Sequence, residues 1–346
     1  MKILVEVTHP AHVHFFRNPL RIWAEQGHEL KITSRKKDCT TRLLDQLGIE
    51  HEVLSSQGSN GILGMVRELT VRNRRLFQVV RRFQPDVLCA VGGIWAAQVG
   101  VAARRPSVVF YNTEEARLQN YLTYPFASRV CVAQCYTGWT PRHRTVRYRG
   151  YHELSYLDKK SFTPNRDIAI KNGLSQTQRS FLVRTVAWAA SHDIGLDGWS
   201  ETTLRAVVAH LARCGQVFIS SERRLPPDLE SYRYKGEADQ LHHLLAFCSL
   251  YVGESATIAS EAVVLGVPAV YAAPSYRGYV SDQEARYGLA RFVPAPDADS
   301  TLAAIDDLLA VPQGQIRIDH ARMLRESEDI AEMICSNVVS AAIEAT

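Results

Sequence analysis

The stretch Gly253–Tyr271, GESATIASEAVVLGVPAVY, contains the end of a buried strand, a helix and the start of a second buried strand. Polar residues collect where the strand turns into the helix, at Glu254, Ser255 and Thr257, and Glu261 follows one turn further on. Strand, helix and strand in this order form the repeating unit of a parallel sheet. The stretch therefore predicts an α/β fold with a polar turn at the ligand-binding edge of its sheet.

The same alternation runs along the whole chain and predicts two Rossmann-like domains that face each other across a cleft. The predicted strands are 3–7, 29–33, a short strand at Val53, 87–91, 108–111, 181–184, 217–221, 250–253 and 269–272. The predicted helices are 15–26, 40–47, 63–83, 95–103, 202–214, 238–248, 255–265, 301–309 and 327–346. We expect an N-terminal domain at 1–160, a C-terminal domain at 161–325, and a helix at 326–346 that crosses back to the first domain.

Length and composition are typical of a globular protein with two domains of ordinary size. The chain has 346 residues, of which 46% are hydrophobic and 22% charged. Its formal charge of +4 is too small to argue for nucleic acid. Seven scattered cysteines favour a reducing compartment, and the first apolar run is too short for a signal peptide. These features predict a cytoplasmic enzyme or binding protein with no nucleic-acid partner.

The stretch Gly61–Phe83 is a basic helical pattern with six arginines and one glutamate. Its apolar residues make it a candidate basic amphipathic surface for anionic lipid, which would give peripheral contact with the inner face of a membrane. The alternative is an ordinary helix that packs on the sheet and turns its arginines to solvent. The sequence leaves both interpretations open.

The turn into the helix of the opening stretch has the features of an anion site. Ser255, Ala256 and Thr257 begin a helix directly after the strand that ends at Gly253. The first turn of a helix offers unpaired N–H groups and the positive end of the helix dipole, and small residues let a phosphate approach. Glu261 lies four residues after Thr257 and can accept two hydrogen bonds from a ribose diol. Plain helix capping by Ser255 or Thr257 explains the pattern equally well.

Three histidines crowd the first strand-to-helix turn, THPAHVHFFRN at Thr8–Asn18. His12 is a candidate general base because an imidazole titrates near neutral pH. His9 and His14 lack a neighbouring carboxylate or cysteine to complete a metal site, so we predict no bound metal. The alternative for His12 is a hydrogen-bonded turn histidine.

Other polar residues follow predicted strands at the same edge. Candidates of the first half are Asn112, Glu114 and Glu115 after strand 108–111, and the pair Gly92 and Gly93 after strand 87–91. Candidates of the second half are Arg184 for a phosphate, His192 for a phosphate or sugar, and Ser220, Ser221 and Glu222 for a nucleotide base. For the acidic pair the alternative is a solvated turn, for the glycines tight packing, and for the others a surface loop.

Taken together, these stretches resemble the GT-B glycosyltransferases, and most closely an archaeal and bacterial family of predicted glycosyltransferases long labelled a domain of unknown function. The resemblance rests on THPAHVHFFRN, YNTEEA with NYLTYPFA, YRGYHELSYL, SSERRLP and GESATIASEAVVLGVPAV, which span most of the chain. In such enzymes a histidine in the first turn serves as base or acceptor contact, which His12 matches. Their donor-binding segment, with its acidic residue, is similar to Gly253–Pro268 with Glu261.

The chain is also similar to the UDP-N-acetylglucosamine 2-epimerases, which share this fold. Their Glu-Ala pair after a central strand is matched by Glu115 and Ala116, with Arg117 following, and their histidine loop is matched by His192. The acidic residue that they place after the preceding strand falls at Gly92 or Gly93 here. A partner for proton transfer is therefore missing from the pattern, and this weakens the case for an epimerase.

The resemblance implies transfer of a sugar from a nucleotide sugar, with a UDP-sugar favoured, to a hydroxyl acceptor in cell-surface glycan, glycolipid or secondary-metabolite synthesis. It implies no cofactor, and no metal, since many GT-B enzymes work without one. His12 would be the base, with Glu114 or Glu115 as substitutes. The acceptor side would hold His9, His14, Gly92, Gly93 and Asn112. The donor side would hold Arg184, His192, Ser220, Ser221, Glu222, Gly253, Glu254, Ser255, Ala256, Thr257 and Glu261. A nucleotide-sugar-binding protein without catalysis is the remaining alternative.

Overall fold

The computed structural model describes residues 1–37, 39–56, 62–187 and 198–345. The chain divides into two compact units. Unit 1 consists of Met1–Tyr156 together with Glu328–Thr346, and unit 2 consists of Leu157–Ser327. Both units are built of parallel strands with helices between them, so the predicted α/β class is confirmed.

Unit 1 contains a seven-stranded parallel sheet in the order β3-β2-β1-β4-β5-β6-β7. Its strands are β1 (Lys2–Val7), β2 (Glu29–Lys36), β3 (Glu52–Ser56), β4 (Val87–Val91), β5 (Ser107–Tyr111), β6 (Arg129–Ala133) and β7 (Thr145–Tyr148). Its helices in this part of the chain are α1 (Pro10–Glu25), α2 (Thr40–Gln46), α3 (Ile62–Phe83), α4 (Ile94–Ala103), α5 (Arg117–Thr123) and α6 (Leu154–Leu157). The order of the strands reverses between β1 and β4, which is the place where a doubly wound sheet opens a crevice for ligands.

The helix predicted as a basic surface, α3, packs its apolar side against the sheet. Leu76, Val79 and Val80 are buried among side chains of β1, β3 and β4. Arg72 of the same helix is fully buried, where its Nε donates to Glu6 Oε1 at 2.9 Å. These contacts favour the packed-helix interpretation for this part of α3.

Unit 2 contains a five-stranded parallel sheet in the order β12-β11-β10-β8-β9. Its strands are β8 (Ser180–Thr185), β9 (Gln216–Ser221), β10 (Leu250–Gly253), β11 (Ala269–Ala272) and β12 (Ala290–Val293). Its helices are α7 (Arg166–Lys171), α8 (Glu201–Ala212), α9 (Leu241–Leu245), α10 (Ala256–Val264), α11 (Gly278–Tyr287), α12 (Ala298–Leu309) and α13 (Gln313–Glu326). Here the order of the strands reverses between β8 and β10, so the crevice of this sheet lies between those two strands.

The last helix, α14 (Ile330–Glu344), belongs to unit 1. The side chain of Asp329 caps it by accepting from the N–H of Glu332 at 3.1 Å, and its apolar face is buried. Arg129 at the start of β6 forms an ion pair with Glu344 at its end. Within the described ranges, no helix is long and apolar enough to cross a membrane.

Candidate functional site

The candidate donor residues of unit 2 lie in one row across neighbouring strands. Gly253 of β10 is aligned with Arg184 of β8, and Arg184 is aligned with Ser220 of β9. All three stand at the carboxyl ends of their strands, and the row includes both sides of the β8/β10 crevice. Sequence spacing predicted these residues at strand ends, and the sheet order makes them neighbours.

Gly253 allows the start of α10 to approach β8 closely. A Cβ atom at this position would lie 2.4 Å from the carbonyl oxygen of Arg184 and 2.8 Å from the hydroxyl of Tyr251. Both are closer than non-bonded atoms approach, so no larger residue fits without movement of the backbone. The glycine therefore brings the start of α10 against β8.

Arg184, Ser220 and Glu222 form one hydrogen-bonded group. Nη1 of Arg184 donates to Ser220 Oγ at 2.6 Å, and Nη2 pairs with the Glu222 carboxylate. The other oxygen of Glu222 accepts from the N–H of Ala187 at 3.1 Å. Ser221 accepts from the Thr185 hydroxyl at 2.7 Å. A phosphate at this edge would compete with Glu222 for the arginine.

The Glu254 carboxylate is buried and accepts hydrogen bonds from three directions. Its donors are the N–H of Val186 at 3.0 Å, the N–H of Trp199 at 2.6 Å and the Arg223 guanidinium at 2.7 Å. This carboxylate therefore joins the two backbone segments that flank residues 188–197. His192 lies outside the described residues. The predicted roles of His192 and Glu254 in binding the nucleotide-sugar donor stay predictions.

The start of α10 combines helix capping with small residues. Ser255 is the N-cap, and its side chain accepts from the N–H of Ile258 at 3.4 Å. Thr257 in the first turn is half-buried, whereas Ala256 is buried. The capping interpretation therefore holds for Ser255. It leaves the other N–H groups of the first turn and the dipole as the elements suited to an anion.

Glu261 lies on α10 and is almost completely buried. Its Oε1 atom is 3.1 Å from Nε2 of His242, which comes from α9 and is itself buried. Sequence reasoning missed His242, because a His-His pair in a short helix carries no signal of a partner that lies 19 positions further along the chain. The contact holds one oxygen of the Glu261 carboxylate, and the predicted role of Glu261 in binding a ribose stays a prediction.

The candidate acceptor residues of unit 1 also lie around a point of strand reversal. His9 and His12 follow β1, Gly92 and Gly93 follow β4, and Asn112 follows β5, the next strand in the sheet. Both glycines have left-handed backbone angles, with φ of 75° and 63°. A Cβ atom on Gly93 would lie 2.7 Å from Val109. Gly93 therefore serves tight packing as well as the turn.

His12 stands in the first turn of α1 and is half-buried. The backbone N–H of Thr8 donates to its Nδ1 atom at 3.4 Å, and Thr8 Oγ1 lies 3.2 Å from the same atom. Removal from water lowers the pKa of His12 well below its usual value, and the neighbouring His9 and His152 lower it further. The ring is therefore neutral at pH 7. While Nδ1 accepts from the Thr8 N–H, the neutral ring carries its proton on Nε2. In the other tautomer Nδ1–H donates to the Thr8 hydroxyl, and Nε2 then has a lone pair for a proton.

The other two histidines of this turn have structural contacts. His9 caps α1, with Nδ1 accepting from the N–H of Ala11 at 3.2 Å. His14 stacks on Tyr156 at 5.3 Å between ring centroids. These contacts give His9 and His14 structural roles, and their predicted place on the acceptor side stays a prediction.

His152 is a buried histidine that sequence reasoning did not single out. Its ring packs against Phe15 at 4.5 Å and Tyr148 at 6.1 Å. Burial lowers the pKa of His152 to about 3. Its Nε2 atom is buried and has no hydrogen-bond partner among the described residues. The only sequence signal was its position in the motif YRGYHELSYL.

Glu114 and Glu115 follow β5, where Glu115 is exposed and Glu114 is half-buried. Glu114 is near the hydroxyl groups of Tyr124 and Tyr136, which lie 3.2 Å apart. Burial is the main cause that raises the pKa of both tyrosines, and the Glu114 charge adds to it. Glu114 is thus the member of the acidic pair that faces a polar interior.

The described part of the chain contains no cluster of three or more His, Cys, Asp or Glu side chains suited to a metal ion. An Asp-x-Asp sequence is present at Asp297–Asp299, where Asp297 caps α12 by accepting from the N–H of Ser300 at 2.8 Å. The Asp297 carboxylate therefore has a structural use.

Known proteins with similar sequence or structure include glycosyltransferases and UDP-N-acetylglucosamine 2-epimerases. One relative is the UDP-N-acetylglucosamine–N-acetylmuramyl-(pentapeptide) pyrophosphoryl-undecaprenol N-acetylglucosamine transferase of Syntrophotalea carbinolica, which is 31% identical over 119 residues. That match covers 32% of this chain and 33% of the relative, so the chain matches about a third of the relative's length.

Two solved structures cover nearly the whole chain. The UDP-N-acetylglucosamine 2-epimerase from Rickettsia bellii aligns with a TM-score of 0.70 and 12% identity over 99% of this chain and 97% of that one. A spinosyn rhamnosyltransferase complexed with thymidine diphosphate aligns with a TM-score of 0.64 and 14% identity over 97% and 99%. At these identities the similarity shows the fold, which is GT-B, as the sequence predicted.

A family model matches residues 1–342 and therefore nearly all of the described structure. The chain belongs to DUF354, a family described as proteins of unknown function.

Proposed function

We propose that this protein is a glycosyltransferase that moves a sugar from a nucleoside-diphosphate sugar to an acceptor hydroxyl. Unit 2 binds the donor and unit 1 the acceptor. A UDP-sugar is the favoured donor, because the curated relative and the epimerase are both named for UDP-N-acetylglucosamine. The acceptor belongs to a cell-surface glycan, a glycolipid or a secondary metabolite.

One observation supports the proposal above the others: candidate residues surround the point of strand reversal in each sheet. In unit 2 these are Arg184 after β8 and the start of α10 after β10, and in unit 1 His12 after β1 and Gly92 after β4. Ligands of doubly wound sheets bind at such points. Residues chosen from sequence for chemistry therefore coincide with places where the topology favours a ligand.

The proposed reaction breaks the bond between the sugar C1 and the diphosphate oxygen and forms a bond from C1 to the acceptor oxygen. The first turn of α10 stabilises the charge that builds on the leaving diphosphate, and Thr257 adds a hydroxyl donor. Glu261, held by His242, accepts from the ribose hydroxyls. His12 takes the acceptor's proton on Nε2, with Glu114 or Glu115 as the alternative base.

The proposed reaction needs no metal ion, since the helix N-terminus supplies the positive potential that a metal would otherwise provide. Turnover measured after treatment with a chelator should therefore equal turnover of untreated protein. Loss of activity that magnesium or manganese restores would contradict this part of the proposal.

The first experiment is a thermal-shift panel with UDP, GDP, TDP, CDP and their common sugar conjugates. A ligand present at about 100 times its Kd stabilises the folded state by about 2.7 kcal/mol, which a thermal shift detects. Stabilisation by one base family supports the donor site and names the base. No shift with any ligand would overturn the nucleotide-sugar proposal.

A second candidate function is a sugar-nucleotide 2-epimerase, favoured by the acidic pair directly after β5 and by the epimerase-like fold. An epimerase converts its sugar nucleotide with no acceptor present and exchanges the hydrogen at C2 with solvent. A transferase releases nucleoside diphosphate only when an acceptor is added, apart from slow hydrolysis. A protein that binds the nucleotide sugar without catalysis does neither. NMR of UDP-N-acetylglucosamine in D₂O therefore separates the epimerase from the other two, and release of nucleoside diphosphate on addition of acceptors separates the transferase from the binding protein.

A further inference from the structure

One stretch of unit 1 is strongly basic. From Ala116 to His152 the sequence contains no aspartate or glutamate but six arginines. One of them, Arg129, is paired with Glu344 of α14, and the five that remain exceed the formal charge of +4 carried by the whole chain. The stretch forms α5, β6, β7 and the loops that join them. Positive charge is therefore concentrated on one part of the protein.

Large apolar side chains are exposed on the same part. Leu118 and Tyr121 are 65% and 67% exposed, and Trp139, in the loop after β6, is 59% exposed. Leu118 and Tyr121 are three residues apart on α5 and so share a face of the helix. Tyr121 stacks with Trp139 at 6.3 Å between ring centroids. The three side chains form one continuous apolar surface.

The loop that presents Trp139 is firmly packed beneath it. A Cβ atom on Gly138 would lie 2.5 Å from the Tyr136 hydroxyl, so the loop backbone rests on that ring. The inner side of Trp139 packs on the buried Tyr124 at 5.6 Å. The packing beneath it therefore fixes Trp139 with one face exposed. Exposure of this apolar face to water is unfavourable.

Arginines border this apolar surface with their charges intact. Arg144 donates to the carbonyl oxygens of Pro125 at 3.2 Å and Ala127 at 2.8 Å, on either side of the exposed Phe126. Arg117 and Arg142 are exposed. A carbonyl oxygen does not neutralise a guanidinium, so the rim stays positive.

We propose that this surface docks on an anionic phospholipid bilayer. The residues that form it, called the aromatic–arginine surface below, are Leu118, Tyr121, Phe126, Trp139, Arg117, Arg142 and Arg144. Tryptophan and tyrosine favour the boundary between water and lipid, where one side of the ring is apolar and the other wet. Arginines attract and contact the anionic headgroups.

Other occupants fit this surface less well. A soluble polyanion would meet the arginines but would leave Leu118 and Trp139 in water. A second copy in a two-fold contact would set the same arginines against each other, because such an interface pairs a patch with itself. A bilayer with anionic lipid satisfies both the charge and the apolar side chains.

The test is co-sedimentation of the full chain with vesicles of phosphatidylcholine alone and with vesicles that also contain phosphatidylglycerol. We expect binding only to the second kind, and weaker binding at high salt. Arg117→Gln with Arg142→Gln should lower the association constant about fivefold for each arginine removed. Leu118→Ser with Trp139→Ser should lower it further.

Two matched variants locate the contact. Ile318→Ser removes an equally exposed apolar residue of unit 2 and should leave vesicle binding unchanged. Arg67→Gln, Arg74→Gln and Arg81→Gln together test the basic face of α3 and should change binding less than loss of Arg117 and Arg142. Thermal unfolding of each variant verifies its fold, and the exposed arginine pair keeps the test valid if the double serine variant is unstable.

Three results would overturn the proposal: no binding to phosphatidylglycerol vesicles, binding lost only in the α3 variant, or a dimer in ultracentrifugation that Trp139→Ser dissolves. The vesicle assay needs no nucleotide or sugar. Its outcome is therefore independent of whether the proposed glycosyl transfer is correct.

Discussion

Nε2 of His242 lies 3.1 Å from Oε1 of Glu261, and both side chains are almost completely buried. The contact joins α9 to α10 within unit 2 and holds one oxygen of the carboxylate. A buried carboxylate that is fixed by a neighbour pays little further entropy when it binds a sugar hydroxyl. The pair therefore leads to a prediction about the affinity of the donor site for nucleoside diphosphate.

Glu261→Ala is expected to weaken binding of the nucleoside diphosphate that stabilises the wild type. Loss of one hydrogen bond to a charged group corresponds to about a 10- to 100-fold weaker affinity. His242→Gln should weaken binding in the same direction, since it removes the group that orients the carboxylate. Isothermal calorimetry measures both, with the exposed Glu201→Gln as the control.

Equal affinity for the nucleoside diphosphate in Glu261→Ala and in the wild type, with both proteins folded, would show that Glu261 supports the fold only. Loss of affinity in Glu201→Gln would show that general surface charge, rather than the buried pair, governs binding.

His12→Ala is expected to lower turnover by about 100-fold or more while leaving nucleotide affinity unchanged, because a general base acts only on the acceptor. Steady-state release of nucleoside diphosphate in the presence of acceptor gives the turnover, and calorimetry gives the affinity. If His12→Ala keeps wild-type turnover, the assignment of His12 as the base is wrong. Glu114 or Glu115 would then be the candidate base.

Thr8→Val is a second variant that tests the role of the same histidine. It removes the hydroxyl that lies 3.2 Å from Nδ1. That hydroxyl is the acceptor for Nδ1–H in the tautomer whose Nε2 can receive a proton, so the substitution disfavours this tautomer. We expect an intermediate loss of turnover. A Thr8→Val variant as active as wild type would show that Nδ1 has no role in orienting the base.

The sequence carried enough signal for most of the buried strands and for the polar turns that follow them. Continuous apolar runs such as Val108–Phe110 are typical of a strand covered on both faces, and the structure confirms them. The buried strand β6 and the edge strand β7 were not predicted. In β7, Thr145 and Arg147 interrupt the apolar pattern. Strand β12 was missed for the same reason, with Arg291 in its centre.

Helices at the surface were harder to predict than those in the core. The helices α11 and α13 were missed because their polar residues dilute the apolar periodicity, as Asp282 and Glu284 do in α11. The helix predicted at 238–248 is instead a 3₁₀ turn at Ala238–Gln240 followed by the short α9. Propensity alone does not decide such short elements, since tertiary contacts outweigh it.

The candidate site divides in the same way. Strand ends and a helix start were predictable, because Ser255 and Thr257 stand at a turn that local rules identify. The hydrogen-bond partners of Glu254 were not predictable, since two of its three donors are backbone N–H groups, and the residue types carry no signal of these. Likewise, the burial of His152 depends on Phe15, which lies 137 positions earlier in the chain.

His152 predicts how stability depends on pH. Its pKa in the folded protein is about 3, whereas an unperturbed histidine titrates near 6.5, so the unfolded chain binds the extra proton between these values. Its contribution to stability is therefore complete above pH 6.5 and is lost as the pH falls. Between pH 6.5 and 5.0 this one group costs up to about 2 kcal/mol.

His152→Phe should remove that loss, since phenylalanine fills similar space between Phe15 and Tyr148 without a titrating nitrogen. Urea unfolding at several pH values should give a flatter dependence for His152→Phe than for wild type. The exposed His143→Phe should reproduce the wild-type dependence. Identical slopes for wild type and His152→Phe would contradict the proposed burial of a neutral ring.

The buried pair Glu6–Arg72 predicts a large effect on stability at the centre of unit 1. Both side chains are fully buried, Arg72 stacks on Trp95 at 4.8 Å, and Glu6 also accepts from the N–H of Ala96 at 3.2 Å. Arg72→Met leaves the Glu6 charge without its ion-pair partner, which costs about 3–5 kcal/mol of the free energy of unfolding. Urea unfolding measures the loss.

A second substitution distinguishes a charge effect from simple loss of packing. Glu6→Leu combined with Arg72→Met removes both charges and should recover much of the stability lost in Arg72→Met, because an isolated buried charge is costlier than an apolar pair. Arg74→Met, exposed on the same helix, should change stability by at most about 0.5 kcal/mol. If the double variant is as unstable as the sum of the single variants, the two side chains contribute independently and the coupling inferred from their 2.9 Å contact is wrong.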